Sequence, residues 1–191
     1  MVQNGNVYKK AVMINLTDKN MKSIRNISII AALIVFNSSF AQVAIGKQMV
    51  DGKSTVLDFD NVSGNTKGLI LPATSGFPTG TLVNGTLIFD LTDNKVKVYE
   101  NDTWKSLSDT GNSSAVITNN SAESGKGVIM GEASSAADGV LVLESQDKAM
   151  ILPKVATPHL SVKNPYPGMI CYDTTSKTLA IFDGSVWNYW K

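Results

Sequence analysis

The amino-acid sequence predicts an all-β protein, in which two related small β-meander units follow an N-terminal signal peptide. Short runs rich in β-branched and aromatic residues alternate between apolar and polar positions, which is typical of strands. Similar runs return in the same order farther along the chain, which indicates an internal repeat. Beyond the signal peptide, no segment has the apolar spacing of an amphipathic helix.

Residues 21–41 have the three parts of a secretory signal peptide. Two basic side chains come first, an apolar run follows over residues 27–36, and small residues precede Gln42. The run is shorter than the roughly 20 residues that a membrane-spanning helix needs. We therefore expect export, a mature chain that begins at Gln42 and no transmembrane segment in it. Residues 1–20 precede the basic start, and we interpret them as a non-native upstream extension before Met21.

The charge of the precursor differs from that of the expected mature chain. The whole chain has 191 residues, 17 basic and 16 acidic side chains, and a net charge of +1. Residues 42–191 are 150 residues with 12 lysines, no arginine and 15 acidic side chains, which gives −3. Without arginine the expected mature chain lacks the planar fork that binds phosphate and guanine, so we expect no nucleic-acid partner.

The internal repeat has one copy at 43–107 and a second at 128–190. KGLILP in the first copy matches KAMILP in the second, and GTLIFD matches GMICYD. Five matched pairs are separated by 83 residues: Gly85 and Gly168, Asp90 and Asp173, Thr92 and Thr175, Tyr99 and Phe182, Trp104 and Trp187. Because the matches keep their order, we interpret them as a duplicated β unit.

Each copy is expected to end in a three-stranded meander. Its first strand is a short apolar run, its second alternates with period two, and its third carries a tryptophan. A proline after each ILP run ends a preceding strand, because proline cannot donate to a ladder. The Gly-, Pro- and Ser-containing segments 73–84 and 154–167 are predicted to be long loops.

The segment between the copies, residues 108–127, is rich in Ser, Asn and Gly. This composition favours a polar linker. A short β-branched run at 115–118 leaves a strand open as the alternative.

The second copy best carries the pattern K-G-x-x-L-P followed by P-x-x-G-x-x-x-Y-D-T-x-x-x-x-L-x-x-Y-D-G-x-x-W, with Ala149 at the first Gly position and Phe182 at the second Tyr position. The residues in place are Lys148, Leu152, Pro153, Pro165, Gly168, Tyr172, Asp173, Thr174, Leu179, Phe182, Asp183, Gly184 and Trp187. The pattern resembles a repeat of secreted proteins from Gram-negative bacteria and of phage tail-fibre-like proteins. The first copy departs from it at Phe89, Leu91, Asn101 and Asp102. The resemblance implies a β-structured, often oligomeric surface or fibre-like protein, and it brings no catalytic residues.

Side chains that could perform chemistry have structural explanations in this sequence. Cys171 replaces Ile88 of the first copy within an apolar strand, so we expect it to be a buried core residue. His159 follows Pro158 in a loop, where no nucleophile motif accompanies it. The Asp and Asn clusters at 58–61 and 90–94 are expected to form turns. We therefore predict no catalytic, metal or cofactor site.

Four aromatic side chains remain as candidates for contact with a ligand or partner: Trp104, Trp187, Tyr189 and Trp190. Trp104 and Trp187 are equivalent in the repeat and are expected to support the small cores. Trp190 matches Leu107, which also favours a core position, whereas Tyr189 matches Ser106 and is expected to be the most exposed ring.

These observations together predict an exported, non-enzymatic, structural or adhesive protein of the surface or fibre type. Small β units with exposed sheet edges need pairing or burial, so we expect a homo-oligomer, and the fibre resemblance favours a trimer. A cell-surface or glycan partner fits the same interpretation. A secreted carbohydrate-binding module that uses the exposed aromatic rings is the alternative.

Overall fold

The computed structural model describes residues 42–118 and 127–191. Within these two ranges the chain forms fourteen short strands and one helix of four residues, so the all-β prediction is confirmed. No helix in this part of the chain is long and apolar enough to cross a membrane. The predicted upstream extension 1–20, the signal peptide 21–41 and the linker portion 119–126 lie outside the described residues.

The two copies of the repeat have the same order of strands. The first copy contains β1 (Val43–Ile45), β2 (Thr55–Phe59), β3 (Leu69–Ile70), β4 (Ala73–Thr74), β5 (Leu87–Asp90), β6 (Lys95–Glu100) and β7 (Thr103–Ser106). The second contains β8 (Val128–Met130), β9 (Leu141–Leu143), β10 (Ala149–Ile151), β11 (Lys154–Val155), α1 (Pro158–Ser161), β12 (Met169–Asp173), β13 (Thr178–Phe182) and β14 (Trp187–Trp190). Each copy begins with a parallel pair, β1 with β2 and β8 with β9.

The predicted meanders are present in both copies. Strands β5, β6 and β7 pair antiparallel in order, as do β12, β13 and β14. The turns that join the last two strands differ, as the departures in the first copy indicated. Asn101 and Asp102 both have positive φ, as a two-residue type I′ hairpin turn requires, whereas the second copy uses Gly184 at φ 95°.

The predicted long loops 73–84 and 154–167 are shorter than expected. Residues immediately after each proline form β4 and β11, which run parallel to β5 and β12. Proline lacks an N–H but keeps its carbonyl, and the Pro72 and Pro153 carbonyls accept bonds of 2.8 and 2.9 Å from Phe89 and Tyr172. The loop prediction also missed α1, which is too short to show helical periodicity and has Pro158 at its start.

The two copies are interleaved through their strands. Strand β10 of the second copy lies parallel to β2 of the first, in a sheet of order β1-β2-β10. Strand β3 of the first copy pairs antiparallel with β12 of the second. Each copy therefore contributes one short strand to a sheet of the other.

The main hydrophobic core is shared by the two meanders. It contains Leu71, Phe89 and Val96 from the first copy together with Ile170 and Ile181 from the second. A second core lies within the second copy, between its meander and α1; its buried residues are Val155, Val162, Met169, Cys171, Ala180 and Phe182. Since period two sends Ile170 and Cys171 to opposite faces of β12, that strand serves both cores.

Residues 108–118 contact both meanders. The Gly111 N–H donates to the Asn94 carbonyl at 2.8 Å, and the Asn112 N–H donates to the Asp183 carbonyl at 2.9 Å. Val116 packs against the shared core. The alternative strand at 115–118 does not form; its place is taken by a turn closed by the Val116 N–H and the Ser113 carbonyl.

Candidate functional site

Strand β14 presents its aromatic side chains on two faces of the second meander. Period two places Trp187 and Tyr189 on one face and Trp190 on the other. Trp187 packs against the core that contains Cys171, with its ring 5.4 Å from that of Phe182. The sequence-predicted β14 aromatics therefore do not form one platform.

Trp104 lies in the first meander and is held by other aromatic rings. Its ring stacks on that of Phe77 at 5.1 Å, with 6° between the planes, and Tyr99 meets it edge-on at 5.3 Å. Trp104 and Trp187 are both half-buried, so these equivalent side chains anchor their meanders while keeping part of each ring accessible.

Tyr189 and Trp190 are the exposed rings of the candidate set, with 40% and 47% of their surface accessible. The Tyr189 hydroxyl lies 2.8 Å from Nδ1 of His159, which α1 carries to this edge. The Trp190 indole N–H donates to the Leu107 carbonyl at 2.6 Å. Trp190 is thus the more exposed of the two, whereas the equivalence with Ser106 predicted Tyr189 as the most exposed ring.

Trp190 and Tyr189 border an open depression of about 380 Å³. Polar groups line the rest of it, among them Lys95, Asp109 and Asn188. An exposed ring beside amide and carboxylate groups can stack on an apolar sugar face and bond its hydroxyls. Among the β14 aromatics the Trp190 ring can act in this depression, because the Tyr189 ring lies on the opposite face of the strand, against His159.

A half-buried lysine of the first meander is paired with two carboxylates. Lys97 Nζ is 2.7 Å from Asp90 and 2.8 Å from Asp93, and it lies 5.0 Å from the centre of the Phe77 ring. Burial opposes the charged form of Asp90, but hydrogen bonds from Lys97 and Thr92 outweigh it and lower the pKa of Asp90. Burial likewise opposes a charged Lys97, yet its two carboxylate partners raise the pKa of that lysine.

The equivalent carboxylate of the second meander is held without a lysine. Asp173 accepts from the Ser176 hydroxyl at 2.6 Å and from the backbone N–H groups of Thr175 and Thr157 at 2.9 and 3.0 Å. These bonds outweigh burial and lower the pKa of Asp173. Asp90 and Asp173 therefore act as turn acceptors, as the sequence predicted.

We expect Asp90→Asn to destabilise the protein by roughly 2–3 kcal/mol at neutral pH, because it breaks a buried ion pair. The folded-state pKa of Asp90 is lowered, so its contribution is present above the unfolded value and is lost as the pH falls through the folded value. Urea unfolding at pH 7 and near pH 2 should show the gap between wild type and variant closing in acid. The matched control, Asp147→Asn, removes an exposed carboxylate from a 3.4 Å pair with Lys148, and we expect less than about 1 kcal/mol. Equal losses in the two variants would contradict a special role for Asp90.

Cys171 is fully buried, as predicted, and burial raises the pKa of its thiol to about 12. A thiol with this pKa is inert as a nucleophile at neutral pH. The structure therefore assigns Cys171 to the core.

The sequence predicted exposed sheet edges, but it did not show which strands have them. Strand β5 pairs with β4 at Phe89 and Asp90, but no described strand covers the same edge at Leu87. The sheet of β8 and β9 likewise has two strands where its counterpart has three. The internal repeat points to these edges, because β12 and β2 are equivalent to β5 and β9 and their corresponding edges are both covered.

Comparison with known families gives a match in the second copy. Residues 129–191 match the family described as phage tail like trimerisation region, over about a third of the chain. The matched residues run from β8 through β14, and with the all-β fold they fit a tail-fibre-like protein. No curated protein and no solved structure matches the chain.

Proposed function

We propose that this chain is a structural component of the fibre type that assembles as a homotrimer. The match of residues 129–191 to a trimerisation region carries the proposal. The all-β fold supports it, because β-rich subunits with open edges gain stability when other strands cover those edges.

The proposed role is not enzymatic, and it needs no cofactor or metal. The carboxylates with lowered pKa have structural partners: Asp58 pairs with Lys47, Asp90 pairs with Lys97, and Asp173 accepts from a turn. Charges used in this way stabilise local structure, as a rigid assembly component requires.

The proposed location is outside the cell or on its surface. Support comes from the sequence of residues 21–41, which has the basic, apolar and small-residue parts of a signal peptide. Removal of that segment would leave Gln42 as the first residue.

The exported protein provides the test of both proposals. We expect light scattering to give the mass of three chains at micromolar concentration, and mass spectrometry to find Gln42 at the N-terminus. A stable monomer would refute the trimer, and a retained segment 21–41 would refute the export route. The two readouts are independent, so either proposal can fail alone.

A second candidate function is adhesion through carbohydrate binding at the depression beside β14. The exposed ring of Trp190 favours it, together with the polar groups that line the depression. A glycan array probed with the wild-type protein and with Trp190→Ala tests this function. Binding that the variant loses supports it, whereas an empty array or equal binding by both proteins refutes it.

A further inference from the structure

The two copies of the repeat contact each other in one fixed way. The later copy lays its β10 beside β2 of the earlier copy, and the earlier copy lays its β3 beside β12 of the later one. Strands β3 and β10 are equivalent in the repeat, so a strand of this type can pair along both of its edges. One edge pairs with the strand equivalent to β2 in the preceding copy, and the other pairs with the strand equivalent to β12 in the following copy.

Within one chain, only half of these edges are used. Strand β3 has β12 on one side, and no described strand lies on its other side. Strand β10 has β2 on one side and is likewise uncovered on the other. One edge of β3 and one edge of β10 are therefore open in the described part of a single chain.

The surfaces that would receive these edges are also uncovered. The Tyr99 N–H donates to the Thr86 carbonyl, so the alternation of antiparallel bonds turns the Leu87 N–H and C=O away from β6. The equivalent residue, Ile170, pairs on that side with Leu69 of β3. Leu87 has no such partner among the described residues.

Burial shows the same difference between β2 and β9. Val56 and Leu57 of the first copy are 2% and 1% exposed. Their equivalents Val140 and Leu141 are 58% and 39% exposed, although they hold the same place beside a parallel strand. The first-copy sheet has a third strand, β10, and the second-copy sheet lacks one.

We propose that a second chain of this protein pairs with the open edges of β9 and β10. Its β3 lies beside β9, and its β5 lies beside β10. The later repeat of one chain then contacts the earlier repeat of the next chain. The strands pair in the same way as those of the earlier and later repeats within one chain. This inference rests on the proposed homo-oligomer and specifies which surfaces form it. The partner's β3 makes the sheet of β8 and β9 three-stranded, and β10 in turn covers the Leu87 edge of the partner's β5.

The contact joins two different surfaces, so it is head-to-tail and closes into a ring when the rotation allows. A ring of three chains, the number supported by the family match, would leave no edge of β3 or β10 open. The exposed apolar side chains of the matching edges agree with burial in an assembly, since Ile70 of β3 is 48% exposed.

The internal pairing also gives the register. Met169 faces Ile70 next to the 3.0 Å bond from the Leu71 N–H to the Gly168 carbonyl, so the two form a non-hydrogen-bonded pair. The equivalent pair between chains is Thr86 with Ile151. Residues in such pairs have Cα atoms about 4.5 Å apart, which is within the range of a disulfide.

The decisive experiment introduces cysteines at that pair. In the full chain carrying Thr86→Cys and Ile151→Cys, mild oxidation should produce covalent trimers on a non-reducing gel. The matched control, Ile70→Cys with Met169→Cys, should form its disulfide within one chain and migrate as a covalent monomer. The native thiol of Cys171 is buried and should not contribute.

A second pair of variants avoids dependence on cysteine chemistry. Leu141→Lys places a charge in the proposed contact, and the concentration at which the trimer dissociates should rise roughly tenfold or more. Ile45→Lys adds the same charge at a similarly exposed position, 44%, on β1 outside the contact, and should leave the trimer unchanged.

The outcomes separate this inference from the proposed function. Trimers by light scattering without links between chains, while the control pair links, would overturn the strand exchange and leave the trimer standing. Equal effects of Leu141→Lys and Ile45→Lys would overturn it as well. A wild-type monomer would overturn both proposals. Covalent trimers together with selective loss in Leu141→Lys would establish the exchange.

Discussion

Phe89→Ala is expected to destabilise the whole described fold by about 3–5 kcal/mol, because it empties the centre of the shared core. Phe89 is fully buried on β5 and packs with Val96 of the first meander and with Ile170 and Ile181 of the second. Loss of its ring leaves a cavity that both meanders line. The two meanders should therefore lose stability together.

Urea unfolding followed by tryptophan fluorescence measures this effect. Trp104 reports the first meander and Trp187 the second, so in a Trp190→Phe background the variants that keep one of these two tryptophans should shift by the same amount. Phe77→Ala is the control, since Phe77 is half exposed and its ring contacts Trp104 and Lys97 of the first meander only. We expect about 1 kcal/mol for it. A Phe89→Ala loss confined to the Trp104 signal would contradict a shared core.

Local sequence patterns predicted the meanders because their pairing is local. The alternation in β6 and β13 selects the buried face, and a turn of a few residues brings each strand to its neighbour. Asp90 and Asp173 follow directly from turn chemistry, since each accepts from an N–H two residues later. These elements need no information from distant parts of the chain.

The exchange of strands between copies is not visible in such patterns. A repeat shows that β3 and β10 are equivalent, but it does not show which strand each one pairs with. The partners lie about a hundred residues away in sequence, at β12 and β2. Strands β4 and β11 were missed for a related reason, because two residues after a proline are too few to show alternation.

The burial of the candidate aromatic residues was only partly predicted by sequence. Equivalence with Leu107 favoured a core position for Trp190, yet 47% of Trp190 is exposed. The Leu107 carbonyl accepts from the indole N–H at 2.6 Å, so the two equivalent residues bond to each other at the rim of the fold. Equivalence in a repeat predicts a common backbone position, and the burial of each copy depends on its own neighbours.

A fragment of residues 108–191 is expected not to fold on its own. It contains the whole second copy and the matched region 129–191, and by sequence alone it is one of two related units. A unit of this kind would be expected to fold alone, but the structure indicates that it does not. The fragment lacks the first-copy half of the shared core, and it lacks β3, which covers the edge of β12. Ile170 and Ile181 would then face water.

Circular dichroism and amide-proton dispersion in NMR spectra of the isolated fragment measure its folding. Mixing it with a fragment of residues 42–107 should restore both signals, because the second fragment supplies β3 together with Leu71, Phe89 and Val96. The Phe89→Ala version of the 42–107 fragment is the matched control and should restore them less well. A cooperatively folded 108–191 fragment without any partner fragment would contradict the shared core and show that the copies are independent units. The reason to expect dependence is physical: a single copy of about 65 residues has little apolar surface to bury, and here part of that surface lies against the other copy.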